Sequence, residues 1–312
     1  MKGLWRVKSQ KRLVLISEAA LLLAGVIWGS GFVVMKNSLE ALSINWLICL
    51  RFVLAALVTS AFVFKKLLKG GKALLKAGAV CGGLMYLAFV AQTEGLSRTT
   101  AGNNAFLTAA YVVLVPFFQW AQTKNRPSPN AVLAGFLCLF GVGILALKGD
   151  FSINVGDALT LLCGALYAMH LLAISGYIKK GVDMLSLTAM QFIFTALFAF
   201  LAAFVFEAAP PLIAIFNPKT LFPLFYLGLI CTLLALLLQN IGLKHAPPDH
   251  ASLLMSTEAP FGFIFGMIFL NEPFSLRFLF GAAFIAASIV ISAKAGEKQL
   301  EESAAVEPEE AL

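Results

Sequence analysis

Glu258 carries the chemistry in this sequence that most needs a role. It ends the run Ala251-Ser-Leu-Leu-Met-Ser-Thr-Glu258, about eight residues into an apolar stretch, roughly 12 Å deep at about 1.5 Å per residue. A lone carboxylate at such depth must be neutral, paired or facing water. Its functional uses are to ligate a substrate ammonium or to carry a coupling proton. Its structural use is a helix–helix hydrogen bond made by the protonated acid.

Other polar residues lie at comparable depth. Asn104, Thr108 and Tyr111 are spaced to share one helix face. Asn104 and Tyr111 are expected to line a cavity, and Thr108 either lines it or bonds within its own helix. Trp28 and Tyr167 are midspan aromatics that stack on a substrate, gate a passage or simply pack. His170 follows Tyr167 on the same face, where it binds substrate, moves a proton or is a buried, hydrogen-bonded imidazole. Arg51 is expected to snorkel or to pair with Glu94 or another acid, in a structural or gating role. Gln92, Gln191 and Gln239 suit hydrogen bonds between helices. All of this is the chemistry of binding and proton movement.

Bond-making chemistry finds little support. The three histidines (His170, His245, His250) form no HExxH pattern, and neither a GxSxG elbow nor an aspartyl pair lies in the apolar runs. Cys49, Cys81, Cys138, Cys163 and Cys231 lack the close pairing of metal or redox sites and read as small buried hydrophobes. No cofactor and no metal is expected, and an intramembrane enzyme is disfavoured. No GxxxxGK[ST] sequence is present, which argues against direct drive by ATP.

The elements that must position these residues are membrane helices. The chain of 312 residues is 60% hydrophobic and 12% charged, with a mean hydropathy of +0.89. A soluble domain needs about 25% charged residues to cover its surface. The apolar residues come in stretches of about 20, enough to cross a bilayer. These predict spans at 14–35, 43–64, 73–94, 101–121, 130–148, 156–178, 184–207, 221–243, 250–270 and 275–294. The runs are continuously apolar, unlike the alternating strands of a β-barrel. The first is too long for a signal-peptide core and leads directly into the second, so it reads as a retained helix.

Ten spans give the chain an orientation. Of the 23 Lys and Arg residues, 17 fall in the two termini and the loops on their side, including Lys65, Lys66, Lys69, Lys72 and Lys76. The opposite side holds Lys36, Arg98, Lys148, Lys219 and Arg277. This asymmetry places both termini in the cytoplasm. It also assigns the net charge of +7 to the lipid surface rather than to nucleic acid. The acidic residues 295–312 read as a disordered cytoplasmic tail.

The chain also repeats itself. RFVLAAL (Arg51–Leu57) matches QFIFTAL (Gln191–Leu197) at an offset of 140, and Gln92–Leu96 matches Gln239–Leu243 at 147. Tyr111 thereby corresponds to Glu258, and Trp28 to Tyr167 at an offset of 139. With five spans per half, the second copy enters the membrane from the opposite side. Such inverted repeats suit alternating access around a midplane site. The expected units are a basic N-terminus (1–13), a first repeat (14–148), a connecting loop (149–155), a second repeat (156–294) and the tail.

On these residues the chain resembles the EamA-type branch of the drug/metabolite transporter superfamily. The resemblance rests on Trp28-Gly-Ser30 with Phe32 and Lys36, Arg51, Gly95-Leu96, Thr99–Thr108, Tyr111–Pro116, Ala251–Glu258 and Leu270-Asn-Glu-Pro273. It implies an all-α integral membrane protein of ten transmembrane helices, as two inverted five-helix repeats around a central cavity. It also implies a transporter of small metabolites such as amino acids or amines, with many relatives acting as exporters. The expected partners are a small-molecule substrate, the lipid bilayer and protons as coupling ion, with no nucleic acid. The expected setting is the inner membrane, as a monomer or homodimer. A channel or a structural subunit of a membrane complex is the alternative.

Overall fold

The computed structural model describes residues 2–39, 41–98, 104, 107–146, 154–270, 274 and 276–306. Within the hydrocarbon every backbone N–H and C=O needs a partner inside the chain, and apolar runs of this length satisfy that as helices. The first half contains α1 (Lys2–Ser38), α2 (Ile44–Lys69), α3 (Gly71–Arg98), α4 (Tyr111–Thr123) and α5 (Pro129–Ala146). The second half contains α6 (Val155–Lys179) and α7 (Met184–Phe206), then the short α8 (Leu212–Ile215) and α9 (Pro218–Phe225). A π-helical segment, Tyr226–Leu234, joins α9 to α10 (Ala235–Leu243). The chain continues through α11 (Pro248–Met255), α12 (Glu258–Leu270) and α13 (Leu276–Val306). Among the described residues, seven helices are long and apolar enough to cross a bilayer, and shorter apolar helices cover Pro129–Ile144 and Phe278–Ser292. The protein is a multi-pass membrane protein.

Two expectations change in detail. The ninth span, expected as one run over 250–270, is two helices separated at Ser256 and Thr257. The last helix runs on to Val306 rather than stopping at residue 294. The extension is rich in Ala, Glu, Lys, Gln and Leu, which are strong helix formers and need no packed core to continue a turn. Most of the Thr99–Thr108 motif, the Asn-Glu-Pro of 271–273 and residues 149–153 of the connecting loop lie outside the described residues.

The inverted repeat is written into the packing. Helices α2 and α7 pair with each other, as do α5 and α13, each pair uniting corresponding elements of the two halves. Phe52 and Phe192, matching residues of the repeated heptapeptide, meet edge to face with centroids 5.8 Å apart. Gly25 of α1 packs on the break in the ninth span: a Cβ there would lie 3.1 Å from the Met255 carbonyl oxygen and 3.3 Å from the Glu258 nitrogen. Gly164 of α6 packs identically on the fourth span, 3.0 Å from the Thr108 oxygen and 3.4 Å from the Tyr111 nitrogen. Small residues at such crossings let backbones approach without a side chain between them.

The α2–α7 pair is fastened at both ends. At one end Glu207 accepts hydrogen bonds from Ser43 Oγ (2.6 Å), Asn45 N (2.9 Å), Asn45 Nδ2 (2.8 Å) and Trp46 N (3.2 Å), covering the N-terminus of α2. At the other, Asp183 caps α7 by accepting from Ser186 N (3.0 Å) and Ser186 Oγ (2.7 Å), and it pairs with Lys66 at 2.9 Å. The Ser186 hydroxyl, followed by Lys66, holds the Asp183 carboxyl below its ordinary range. A depressed carboxyl stabilises the fold above its unfolded pKa of about 4, and that contribution disappears as pH falls through the lower folded value. Asp183→Ala should therefore lower thermal stability at pH 7 by about 1 kcal/mol, the worth of a cap plus an exposed pair. The difference from wild type should close on acidification well below pH 4, as measured by melting in detergent. A difference that persists there would mean the cap works without its charge.

Candidate functional site

The fourth and ninth spans break at matching positions, and the breaks build the site. In the fourth, Ala110 N bonds Leu107 O (3.2 Å) and Val112 N bonds Ala109 O (3.0 Å). In the ninth, Thr257 N bonds Leu254 O (3.3 Å) and Ala259 N bonds Ser256 O (3.1 Å). These tight turns replace the regular ladder at the same four places of the repeat. Pro260 lacks the N–H that would continue the ladder from Ser256. Tyr111 and Glu258 consequently become the first residues of α4 and α12. A carboxylate at a helix N-terminus is favoured by the free N–H groups and the helix dipole.

Tyr111 and Glu258 line one cavity between the halves, with an empty volume of about 660 Å³ including its mouth. Its walls come from α1, α2, α3, α4, α6, the π segment, α10, α11 and α12, and from Thr108 ahead of α4. Twelve of the lining residues form six pairs across the repeat: Trp28 with Tyr167, Phe32 with Leu171, Phe89 with Leu236, Gln92 with Gln239, Thr108 with Met255, and Tyr111 with Glu258. The rest, Gly31, Met35, Arg51, Leu227 and Cys231, lack a lining counterpart.

Polar contacts fix the aromatic walls. Trp28 Nε1 donates to the Cys231 carbonyl oxygen (2.9 Å), Tyr167 OH donates to Gln92 Oε1 (3.2 Å), and Tyr111 OH donates to Ser252 O (3.2 Å). Phe89 packs edge to face on Tyr167 with centroids 5.8 Å apart. Glu258 is 6% exposed, and none of the described residues hydrogen-bonds or ion-pairs with its carboxylate. The described lining is mainly aromatic and aliphatic, with the Glu258 carboxylate and the Arg51 guanidinium as its charged groups. The carboxylate can bind a cation.

Of the residues singled out in the sequence, Trp28, Arg51, Gln92, Thr108, Tyr111, Tyr167, Gln239 and Glu258 come together around this cavity. Asn104, His170 and Gln191 do not line it. Asn104 donates to Gln92 O (3.1 Å) and Thr160 Oγ1 (2.9 Å), tying α3 to α6. His170, 1% exposed, bonds Gln191 Oε1 at 3.0 Å. The expected pairing of Arg51 with Glu94 is not formed: Glu94 binds Arg98, one turn further along the same helix, at 3.0 Å. Arg51 does not snorkel either. It is 3% exposed, donates Nε to Thr232 Oγ1 (2.8 Å) and lies 4.8 Å from the Phe89 ring centroid. Apart from Phe32, which belongs to the motif around Trp28, the apolar lining (Met35, Phe89, Leu171, Leu227, Leu236) gives no sequence signal, since lipid-facing positions use the same residue types. Its one legible trace is the repeat offset, which would have pointed to Leu236 from Phe89.

Comparison with known proteins supports the two-repeat reading. The sequence profile of the EamA-like transporter family matches the chain twice, over residues 15–147 and 154–293. An uncharacterized transporter of Archaeoglobus fulgidus is 31% identical over 280 residues, covering 89% of this chain and 85% of that protein. A second uncharacterized transporter of the same organism is 30% identical over 266 residues, covering 82% and 90%. In fold, the chain is similar to a protein of known crystal structure with a TM-score of 0.74 at 15% identity, over 93% of this chain and 99% of that one.

Proposed function

The chain belongs to the EamA-like transporter family, and from that premise we propose that it is a secondary exporter of small metabolites bearing an ammonium group, such as amino acids and amines. The observation that carries this reading is the Glu258 carboxylate, without a protein partner among the described residues in a chamber walled mainly by aromatic and aliphatic groups. A buried carboxylate of that kind binds an ammonium by a charge-assisted hydrogen bond. The surrounding rings suit an apolar body or the cation itself.

The matched breaks support alternating access. Because Tyr111 and Glu258 head corresponding half-helices, the two halves can exchange roles around one site, opening it to either face in turn. Proton coupling through Glu258 is compatible with the same motion, since one carboxylate then serves substrate and proton in alternation. The positive-inside pattern supports an orientation with both termini in the cytoplasm.

The test is counterflow into liposomes holding the purified protein. Vesicles preloaded with unlabelled amines or amino acids should accumulate the labelled compound, and the initial rate should saturate with concentration. Ligand should also change Trp28 fluorescence, an effect lost in Trp28→Phe. Conductance that never saturates, without exchange, would overturn the transporter in favour of a channel.

A further inference from the structure

The cavity obeys the inverted repeat except in one corner, and that corner contains Arg51. Its counterpart in the other half is Gln191, and the counterpart of the nearby Gly31 is His170. In the second half this pair closes on itself, His170 Nε2 meeting Gln191 Oε1 at 3.0 Å, both side chains buried away from the cavity. In the first half the imidazole is missing. Gly31 presents no side chain there, Cys231 Sγ lies 3.0 Å from where a Cβ would stand, and the cavity lining includes Arg51, Met35, Leu227 and Cys231. The departures from symmetry thus form one side chamber around a guanidinium.

The π-helical segment shapes the same corner. Gly82 abuts Gln191 O in one half and Gly228 abuts Arg51 O in the other, an offset of 146. Beyond the segment, Gln92 and Gln239 are offset by 147. The π turn takes up the extra residue, with Thr232 Oγ1 bonded to Leu227 O five positions back. Thr232 Oγ1 is also the acceptor for Arg51 Nε (2.8 Å). Such insertions are frequent at functional sites; here the added residue anchors one edge of the guanidinium.

That anchor uses little of the arginine. Nη1 has a long 3.7 Å contact with Met35 Sδ, and Nη2 has no hydrogen-bond partner among the described residues. Among the described residues no carboxylate lies within 4.0 Å of it, and Glu258, although on the same cavity, is not paired with it. A fixed guanidinium with an open fork is the group best suited to a carboxylate. Leaving it unpaired inside a membrane span is costly unless the cavity's occupant supplies the countercharge.

We propose that Arg51 is the carboxylate-binding residue of the transport site, so that the cavity holds a zwitterion with its ammonium at Glu258, its carboxylate in the Gly31–Arg51 side chamber and an apolar body between the aromatic walls. This rests on the transporter reading above and narrows its substrate class from ammonium compounds to α-amino acids with apolar side chains.

The test uses matched ligands on the reconstituted full chain: leucine, methionine and phenylalanine, each beside its decarboxylated amine and its deaminated acid. Wild type should prefer at least one amino acid over both of its fragments by tenfold or more in competing for counterflow. Arg51→Gln should abolish that preference, weakening the amino acid at least tenfold while leaving the amine within twofold. Arg51→Lys should restore part of the difference. If Arg51→Gln does not fold, the wild-type preference decides. Exchange of amines with no preference for the amino acid overturns the assignment of Arg51 and leaves the transporter reading standing. Equal losses for amino acid and amine in Arg51→Gln also overturn it, making Arg51 structural. Absence of exchange with every compound would remove the transporter reading and this assignment together.

Discussion

Glu258→Gln is expected to lower counterflow of ammonium-bearing substrates by roughly 10- to 100-fold without loss of folded protein. The substitution preserves shape and removes the charge. Hydrogen bonds to charged groups contribute about 1.5–3 kcal/mol, and about 1.4 kcal/mol corresponds to tenfold. No hydrogen bond to the described protein is lost, since the carboxylate makes none, so the melting temperature should stay close to wild type. The assay also separates the two roles open to this acid. Counterflow requires substrate binding but no net proton movement. A variant that exchanges normally yet fails to accumulate substrate under an imposed pH gradient would identify Glu258 as proton carrier alone. Normal behaviour in both assays at every pH would mean that Glu258 serves neither role.

The second large effect concerns the contact behind that residue. Gly29→Val should prevent α1 from seating on α12. A Cβ at Gly29 would lie 2.7 Å from the Glu258 carbonyl oxygen, 2.7 Å from Gly262 N and 2.9 Å from Phe261 Cβ. Two of these are backbone atoms and cannot rotate aside. Overpacking costs about 1–3 kcal/mol where side chains can adjust, and the cost against backbone should reach or exceed the top of that range. At roughly 2–4 °C per kcal/mol, the melting temperature should fall by more than about 6 °C, with loss of monodisperse protein on size exclusion. Gly176→Val is the control, because a Cβ there meets nothing within 4 Å. Equal behaviour of the two variants would contradict the close approach of α1 and α12.

The membrane environment, the helical class and the order of the repeats were determined by the sequence alone. Apolar runs of about 20 residues admit few other structures in a bilayer. The ordered offsets between halves, 139 for one pair and 147 for the other, then paired Trp28 with Tyr167 and Tyr111 with Glu258 before any contact was known. A pairing rule of this kind works because corresponding residues of an inverted repeat must fall at corresponding places around the axis.

Depth was readable in this way; direction was not. In a soluble helix the polar stripe marks the outside, but in a membrane helix lipid and cavity are both apolar, and periodicity cannot separate Phe89, in the cavity wall, from the exposed Phe62. His170 and Asn104 had the depth expected of site residues and were turned instead toward Gln191 and Thr160, because neighbouring helices offered hydrogen-bond partners there. Arg51 was expected to find an acid along the sequence, yet Glu94 met Arg98 one turn away on its own helix. The guanidinium was instead held by Thr232, 181 positions distant. Pro260 removes one bond at the ninth-span break, but the place of the helix breaks and of the π turn also reflects tertiary contacts. Bonds spanning three, four or five residues differ little in local energy, and what selects among them is the neighbour pressed against the backbone: Gly25 and Gly164 at the breaks, Arg51 at the π segment.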